Sequence, residues 1–376
     1  MENKKKWERA ELLLYTVIVI LNILPYLSTR FFPSMDGASH LANSNIINQL
    51  LFHNNELFQQ FFRINPEPVP NWTSHLFISV LTLLLPPFIA EKILLIFMLA
   101  GIPWAFRSLM GTISPTQVHY SYLVFPFTHS MFFFFGFFNF CAGILFFLIA
   151  LNYWLRNCGR KWSILRLLVL SFLVAITYFS HILVFGTLLI VIALHITTTG
   201  IMNGICKTKK WRESIGTFFR SAVAITISSI VPLVLFIYFF YSRPGTREIK
   251  FIPKGELINY LYTIRPLISF NTVVEGRFTT VLFIFLCLLI LAGLVYFILS
   301  VIRKRKASPQ PLTNSLTTSL PGFHFWWLLG TVAVLLSLYF LLPDAYGTAS
   351  YTNLRIAFVF FLVLILWIST LRIPWR

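Results

Sequence analysis

Long apolar runs separated by short polar connections extend along this whole chain. A window of about 20 residues, the length that a helix needs to cross a ~30 Å hydrocarbon core, detects ten apolar segments. They lie at residues 11–31, 73–89, 91–110, 133–155, 163–180, 181–201, 215–241, 278–302, 323–343 and 355–373. The pattern predicts an all-α polytopic membrane protein with about ten transmembrane helices in one domain, residues 1–376.

Two longer polar stretches, residues 32–72 and 242–277, interrupt the apolar runs and are predicted as outer loops. In the first loop, paired apolar residues recur at helical intervals, with asparagine and glutamine between them: Ile46/Ile47, Leu50/Leu51, Leu57/Phe58 and Phe61/Phe62. This spacing predicts amphipathic helices lying on the membrane surface.

A further apolar stretch, residues 119–132, is short for a span and is broken at Pro126. Irregular backbone is tolerated at membrane depth only where protein or water covers it. We therefore predict a re-entrant or interfacial element on the outer side.

Composition agrees with the membrane class. Hydrophobic residues make up 57% of the chain and charged residues 11%, and the mean hydropathy is +0.78. A water-soluble domain cannot cover its surface with so few charges. The net charge of +18 comes from basic residues between apolar runs, which favours contacts with anionic lipids and argues against nucleic acid. The four cysteines are scattered and predict neither disulfides nor a metal motif.

Basic residues also predict the orientation. Lys4, Lys5 and Lys6 precede the first span without a cleavage pattern, which is typical of a retained anchor with a cytoplasmic N-terminus. With ten spans, the basic connections at 156–166, 207–212 and 303–306 fall on the cytoplasmic side. Both termini are then predicted to be cytoplasmic. We predict that the protein lies in a bacterial inner (cytoplasmic) membrane with its active face outward. The predicted outer face carries Asp36, His40, His53, Glu56, Glu67, His75, His119, His129, His181 and Asp344.

Asp36 is the strongest functional candidate, because the chain has only two aspartates and this one directly follows the first span. A carboxylate at a membrane interface is costly to desolvate, which favours a functional role. His40 lies four residues later and shares a face with Asp36 if a helix begins there. The alternatives are that Asp36 caps that helix and that His40 serves as an interhelical hydrogen-bonding group.

The arrangement resembles the GT-C class of integral-membrane glycosyltransferases. The resemblance rests on a cytoplasmic N-terminus, one span, an outward loop opening with Asp36-Gly37-x-x-His40, and a helical loop before the second span. Fragments at Asn71-Trp72, Ala90-Glu91-Lys92 and Phe137-Phe138-Asn139-Phe140 also resemble uncharacterised bacterial membrane proteins related to that class. The resemblance covers the first two-fifths of the chain.

This resemblance implies transfer of a hexosyl or pentosyl group from a polyprenyl-phosphate sugar donor to a lipid, glycan or protein acceptor on the outer face. Asp36 would be the general base or a ligand of a divalent cation, Mg or Mn. His40 would hydrogen-bond Asp36, orient the acceptor or join the metal site. Many members pair two acids in this loop, and the nearest in sequence here are Glu56 and Glu67.

The donor phosphate requires cationic partners. Arg355 is the first candidate, because a guanidinium binds phosphate oxygens in a bidentate manner; the alternative is that it anchors its helix end. The other predicted substrate-binding residues are Arg243, Arg247, Lys250, His181 and Asp344.

Two other classes share the many spans. One is a transporter or flippase for a lipid-linked saccharide; the other is a non-catalytic subunit of envelope-polysaccharide assembly. A phosphate-binding glycine loop, a serine nucleophile elbow and a zinc motif do not occur in the sequence.

Overall fold

The fold is almost entirely helical. The computed structural model describes residues 2–65, 67–205, 211–242, 249–307, 322–347, 350–371 and 373. Eight helices within these ranges are long and apolar enough to span a membrane. The prediction of an all-α polytopic membrane protein is therefore confirmed.

The helices of the first half, in chain order, are α1 (Glu2–Leu27), α2 (Gly37–Leu51), α3 (Glu56–Phe61), α4 (Thr73–Thr82), α5 (Pro87–Ile113), a 3-10 helix (Pro115–Val124), α6 (Phe125–Thr128), α7 (Met131–Phe134) and α8 (Phe138–Asn157). The elements that follow are α9 (Ile164–Ser180), α10 (Ile182–Ile205), α11 (Trp211–Tyr241), β1 (Ile249–Lys250), α12 (Lys254–Tyr262), a 3-10 turn (Arg265–Leu267), α13 (Thr272–Ala307), α14 (Phe323–Leu341), β2 (Ala345–Tyr346) and α15 (Thr352–Ser369).

Contacts between α1 and α5 define the two ends of the bundle. At one end Phe32, just after α1, donates its backbone N–H to Glu91 of α5. At the other end Glu11 forms an ion pair with Arg107. We call these the Asp36 end and the Glu11 end. Because α1 and α5 run in opposite directions between them, both helices traverse the bundle.

The predicted helices of the first loop are present as α2 and α3. α2 buries polar residues against α4: the Ser44 hydroxyl donates to the His75 carbonyl (2.9 Å), and the Asn48 amide donates to the Ser79 carbonyl (3.0 Å). Leu51 remains exposed. The buried hydrogen bonds, rather than the apolar residues alone, hold α2 in place.

The predicted span at residues 73–89 does not traverse the bundle. α4 has 10 residues and a length of about 15 Å, half of what a crossing requires. It begins at the Asp36 end, where the Ser74 N–H donates to Asn139 (2.8 Å). After a turn, α5 begins at the same end, near Glu91.

Residues 115–134 traverse the bundle instead of folding back at one end, which corrects the prediction of a re-entrant element. The chain is broken into a 3-10 helix, α6 and α7, and neighbouring helices cover this irregular backbone. Successive contacts follow α1 from the Glu11 end to the Asp36 end: Tyr122 to Glu11, Thr128 to Asn22, and His129 to Tyr26.

The same segment runs antiparallel to α15. Gln117 donates to the carbonyl of Ile373 (3.3 Å), whereas Phe127 and Phe132 contact Phe358 near the start of α15. His119 therefore lies towards the Glu11 end, and the prediction that it shares a face with Asp36 is wrong. Because one predicted span is lost and one is gained, α8 begins at the Asp36 end, on the same side as Asp36, as the sequence predicted for the span at 133–155.

Candidate functional site

A tight turn between α7 and α8, residues 135–137, lies at the centre of the candidate site. Gly136 has φ = +79°, and a Cβ atom there would lie 2.7 Å from the backbone nitrogen of Gly37. Only glycine accommodates this conformation and this close approach. The turn is held to the start of α2 by the Asp36 N–H, which donates to the Phe135 carbonyl (3.0 Å).

Asp36 precedes α2 but does not cap it through its side chain. The Ser34 hydroxyl accepts the hydrogen bond from the Gly37 N–H (3.1 Å) instead, so the capping alternative is not realised. Asp36 is half-buried, and its carboxylate makes no hydrogen bond or ion pair within the described ranges. Its oxygens keep their capacity to accept a proton or a hydrogen bond from a ligand.

His40 is buried and both of its ring nitrogens are engaged within the fold. Nε2 lies 2.9 Å from the carbonyl oxygen of Gly136, and Nδ1 lies 2.9 Å from the hydroxyl of Ser74. A carbonyl only accepts, so Nε2 carries the proton and Nδ1 accepts from Ser74. His40 positions the turn and is not hydrogen-bonded to Asp36, which corrects that prediction.

The environment of His40 favours its neutral form. Burial, and secondly the neighbouring ring of His75, lower the pKa of His40 to about 4, while the hydrogen bond to Gly136 opposes the shift. The two rings stack with centroids 4.5 Å apart. At neutral pH His40 is therefore an uncharged hydrogen-bonding group.

These contacts bear on the predicted divalent cation. A metal ligand needs a free ring nitrogen, and His40 has none, so it does not fit as a ligand for Mg or Mn. The described ranges also contain no group of three His, Cys, Asp or Glu side chains placed to hold a metal ion. Of the two predicted ligands, Asp36 alone remains available, and Mg or Mn held by one carboxylate takes its other ligands from substrate phosphate and water.

Glu91 is an acidic residue that the sequence analysis did not select. It is 1% exposed, and its Oε1 lies 3.2 Å from where a Cβ on Gly37 would be. It thus lies beside the residue that follows Asp36, whereas Glu56 is exposed on α3. An acid inside an apolar helix was the available signal, but its 55-residue separation from Asp36 hid the proximity.

Arg355, in the first turn of α15, packs against the same turn. Its guanidinium carbon is 5.2 Å from the ring centroid of Phe137 and 5.8 Å from that of Phe140. Nη1 donates to the Ser350 carbonyl (2.6 Å), while Nε is buried without a hydrogen-bond partner. Arg355 forms no ion pair within the described ranges. It therefore combines a positive charge in an aromatic setting with an unused donor.

His181 and Asp344 lie in the surroundings of Arg355. His181 is 7% exposed, packs edge-on against Phe140 (5.2 Å), and its Nδ1 is buried without a partner. Asp344 accepts a hydrogen bond from the backbone of Asn353 (3.2 Å). Burial raises the pKa of Asp344, and backbone hydrogen bonds and the charge of Arg355 oppose that shift.

The remaining cationic candidates come from the second long loop. Lys250 belongs to β1, which pairs with β2 so that Lys250 lies opposite Ala345, and its carbonyl accepts from the Asp344 N–H (2.8 Å). The structure thus brings Lys250 to the strand beside Asp344. Arg243 and Arg247 lie outside the described residues.

The candidate site therefore combines residues of α2, α7–α8, the α9–α10 turn and α15. Comparisons of this chain with protein-family models, curated proteins and solved structures found no match.

Proposed function

We propose that this protein is a membrane glycosyltransferase that moves a sugar from a polyprenyl-phosphate donor to an acceptor at the Asp36 end of the bundle. One observation carries the proposal: two groups with unused bonding capacity within the described ranges contact the same turn. Within these ranges the Asp36 carboxylate has no partner, and its backbone bonds to Phe135; the Arg355 guanidinium has an unpartnered donor and packs on Phe137. Polar groups left unpaired in so apolar a protein are candidates for ligand binding.

Asp36 suits the deprotonation of the acceptor, and Arg355 suits the departure of the donor phosphate. The acceptor hydroxyl oxygen bonds to the anomeric carbon as the bond from that carbon to the donor phosphate oxygen breaks. The bonding electrons leave with the polyprenyl phosphate, and the acceptor proton passes to Asp36, the general base. Arg355 binds the phosphate and stabilises the charge that develops on it.

We further propose that the eight long helices, α9 and residues 115–134 cross the membrane, giving ten crossings with both termini in the cytoplasm. The distribution of positive charge supports this orientation. Arg156 hydrogen-bonds Thr112 and Ser108 at the Glu11 end, and Arg160, Lys161 and Arg166 follow it closely. Such clusters favour the cytoplasmic side and contacts with anionic lipids. The Asp36 end then faces outward.

The test is transfer of radiolabelled sugar by purified, detergent-solubilised protein from a panel of polyprenyl-phosphate sugars. We expect Asp36→Asn to lower the turnover rate about 10²-fold or more, because the general base is lost. Arg355→Gln is expected to raise the KM for the donor about tenfold or more. Glu56→Gln, an exposed acid of the same loop, is the matched control and should transfer sugar normally.

The outcome also separates the alternatives. Chelation distinguishes the two roles proposed for Asp36: transfer that persists in EDTA would support Asp36 as the general base, whereas loss in EDTA that Mg or Mn restores would make Asp36 a cation ligand. Equal activity of wild type and Asp36→Asn would remove Asp36 from the mechanism. Donor binding without transfer would favour a transporter or a non-catalytic assembly subunit.

A further inference from the structure

A cavity opens at the Asp36 end, between α2 and the chain that leads into α4. Its volume is about 380 Å³, and neither Asp36 nor Arg355 lines it. This volume lies near the lower limit for pockets that take small organic ligands, roughly 300 Å³. The cavity is therefore a site separate from the one described above.

The polar side chains of the cavity include three amides, one cation and the imidazole of His75. Asn43, Asn65, Asn71 and Arg63 line it, and no aspartate or glutamate does. The side chains of Asn43, Asn71 and Arg63 make no hydrogen bonds or ion pairs within the described ranges. Amides donate to and accept from hydroxyl groups, and a guanidinium binds carboxylate or phosphate.

Two aromatic side chains, Phe62 and Trp72, also line the cavity. Indole and phenyl faces provide flat apolar surfaces at low entropic cost. Aromatic faces combined with amides match a sugar ring, which presents apolar C–H groups on its faces and hydroxyl groups at its rim.

Contacts from α8 and α9 hold one wall of the cavity, at Asn71 and Trp72, in place. Asn71 has φ = +72°, in the left-handed region, and its carbonyl accepts a hydrogen bond from the Asn139 amide (2.8 Å). The next N–H, of Trp72, donates to the Phe179 carbonyl (2.9 Å). A strained residue retained by contacts from two other helices is typical of a preorganised binding surface.

The cavity is connected to the candidate active site through two stacked rings. His75 lines the cavity and stacks on His40, which is hydrogen-bonded to Gly136 of the central turn. A molecule bound in the cavity would thus lie one pair of rings away from the turn that holds Asp36.

We propose that this cavity binds the acceptor, a saccharide that carries a carboxylate or phosphate group. The hydroxyls are bound by the amides of Asn43 and Asn71, the anionic group by Arg63, and the ring by Trp72. The word acceptor rests on the proposed glycosyltransferase function, whereas the binding of an anionic saccharide does not.

The experiment is equilibrium binding to the full-length protein in detergent, measured by microscale thermophoresis. The probes are a disaccharide with a uronic acid, the same disaccharide with a phosphate ester in place of the carboxylate, and a neutral disaccharide of the same size. We expect wild type to bind at least one anionic probe about tenfold or more tightly than the neutral one. The better anionic probe identifies the group.

Variants make the assignment specific. Arg63→Ala should remove the preference for the anionic probe, and Asn43→Ala should weaken binding of all probes that bind. Both remove side chains without partners within the described ranges, so the fold should persist. Arg30→Ala, at the same end but outside the cavity, is the matched control. These measurements contain no donor and no transfer step, so their outcome does not depend on whether Asp36 is the general base, which separates this proposal from the catalytic one. No binding by wild type, equal binding of charged and neutral probes, or unchanged binding by Arg63→Ala would each overturn it.

Discussion

Asp36 and Arg355 are polar side chains whose bonding capacity the surrounding fold leaves partly unused, whereas the ring nitrogens of His40 are both engaged. Rarity in the sequence singles out Asp36, because a lone carboxylate beside a span is costly to retain. The structure agrees with the alternative that His40 is an interhelical hydrogen-bonding group. Its partners, Gly136 and Ser74, were not predictable, because they are 96 and 34 residues away.

The lowered pKa of His40 predicts that acid destabilises the protein. The pKa of His40 is about 4 in the fold, against an ordinary value of 6.5. The free energy of unfolding is therefore highest above pH 6.5 and falls as the pH drops towards 4. At pH 5 the loss amounts to about 2 kcal/mol. The melting temperature of wild type should therefore fall between pH 7.5 and pH 5, as measured by scanning fluorimetry.

His40→Gln keeps a donor near Gly136 but does not titrate, so its melting temperature should fall less over the same pH interval. His53→Gln removes an exposed histidine of the same loop and should behave as wild type does. An identical pH dependence in wild type and His40→Gln would contradict the assignment of a buried neutral His40.

Among the elements, the turn at residues 135–137 determines the geometry of the site. Asp36 is attached to it by a backbone hydrogen bond, and Arg355 packs against Phe137. In the sequence, this region contributed only the fragment Phe137-Phe138-Asn139-Phe140 to the resemblance, because nothing local distinguishes this turn from an ordinary helix start.

Gly136→Ala should disrupt this turn. The added Cβ would lie 2.7 Å from the Gly37 nitrogen at a positive φ, which we expect to cost about 2 kcal/mol or more and to abolish sugar transfer. Gly186→Ala is the matched control, because no atom lies within 4 Å of its Cβ position. Thermal stability and transfer are measured for both variants; wild-type behaviour of Gly136→Ala would show that the turn does not constrain the site.

The segment at residues 115–134 is the element whose path the sequence did not predict. Its helices are short and Pro126 interrupts it, so a hydropathy window cannot distinguish a broken crossing from a surface segment. At residues 73–89 the opposite occurs. The apolar stretch is long enough to predict a span, but it contains a 10-residue helix followed by a turn.

Accessibility of single cysteines tests this path. In a background without the native cysteines, a membrane-impermeant maleimide should label Ser39→Cys from outside and Thr116→Cys only from the cytoplasmic side. Both positions are exposed, so labelling reports location rather than burial. Labelling of both cysteines from the same side would show that residues 115–134 do not cross.

At the scale of the whole molecule, the candidate site is assembled from parts of the chain that are far apart in sequence. Asp36 comes from the first loop, Glu91 from α5, His181 from the turn between α9 and α10, and Arg355 from the last helix. The all-α polytopic membrane class was predictable, because hydrophobicity is a local property. The meeting of Asp36 with the turn beside Arg355 depends on packing between distant helices.

The most direct test of the central claim is a cryo-electron microscopy structure of the protein with a non-hydrolysable polyprenyl-phosphate sugar analogue. We expect density for the phosphate within hydrogen-bond distance of the Arg355 guanidinium, and density for the anomeric carbon on the side of the turn that carries Asp36. Donor density at the Glu11 end, or phosphate bound away from Arg355 with Asp36 facing no part of the donor, would contradict it.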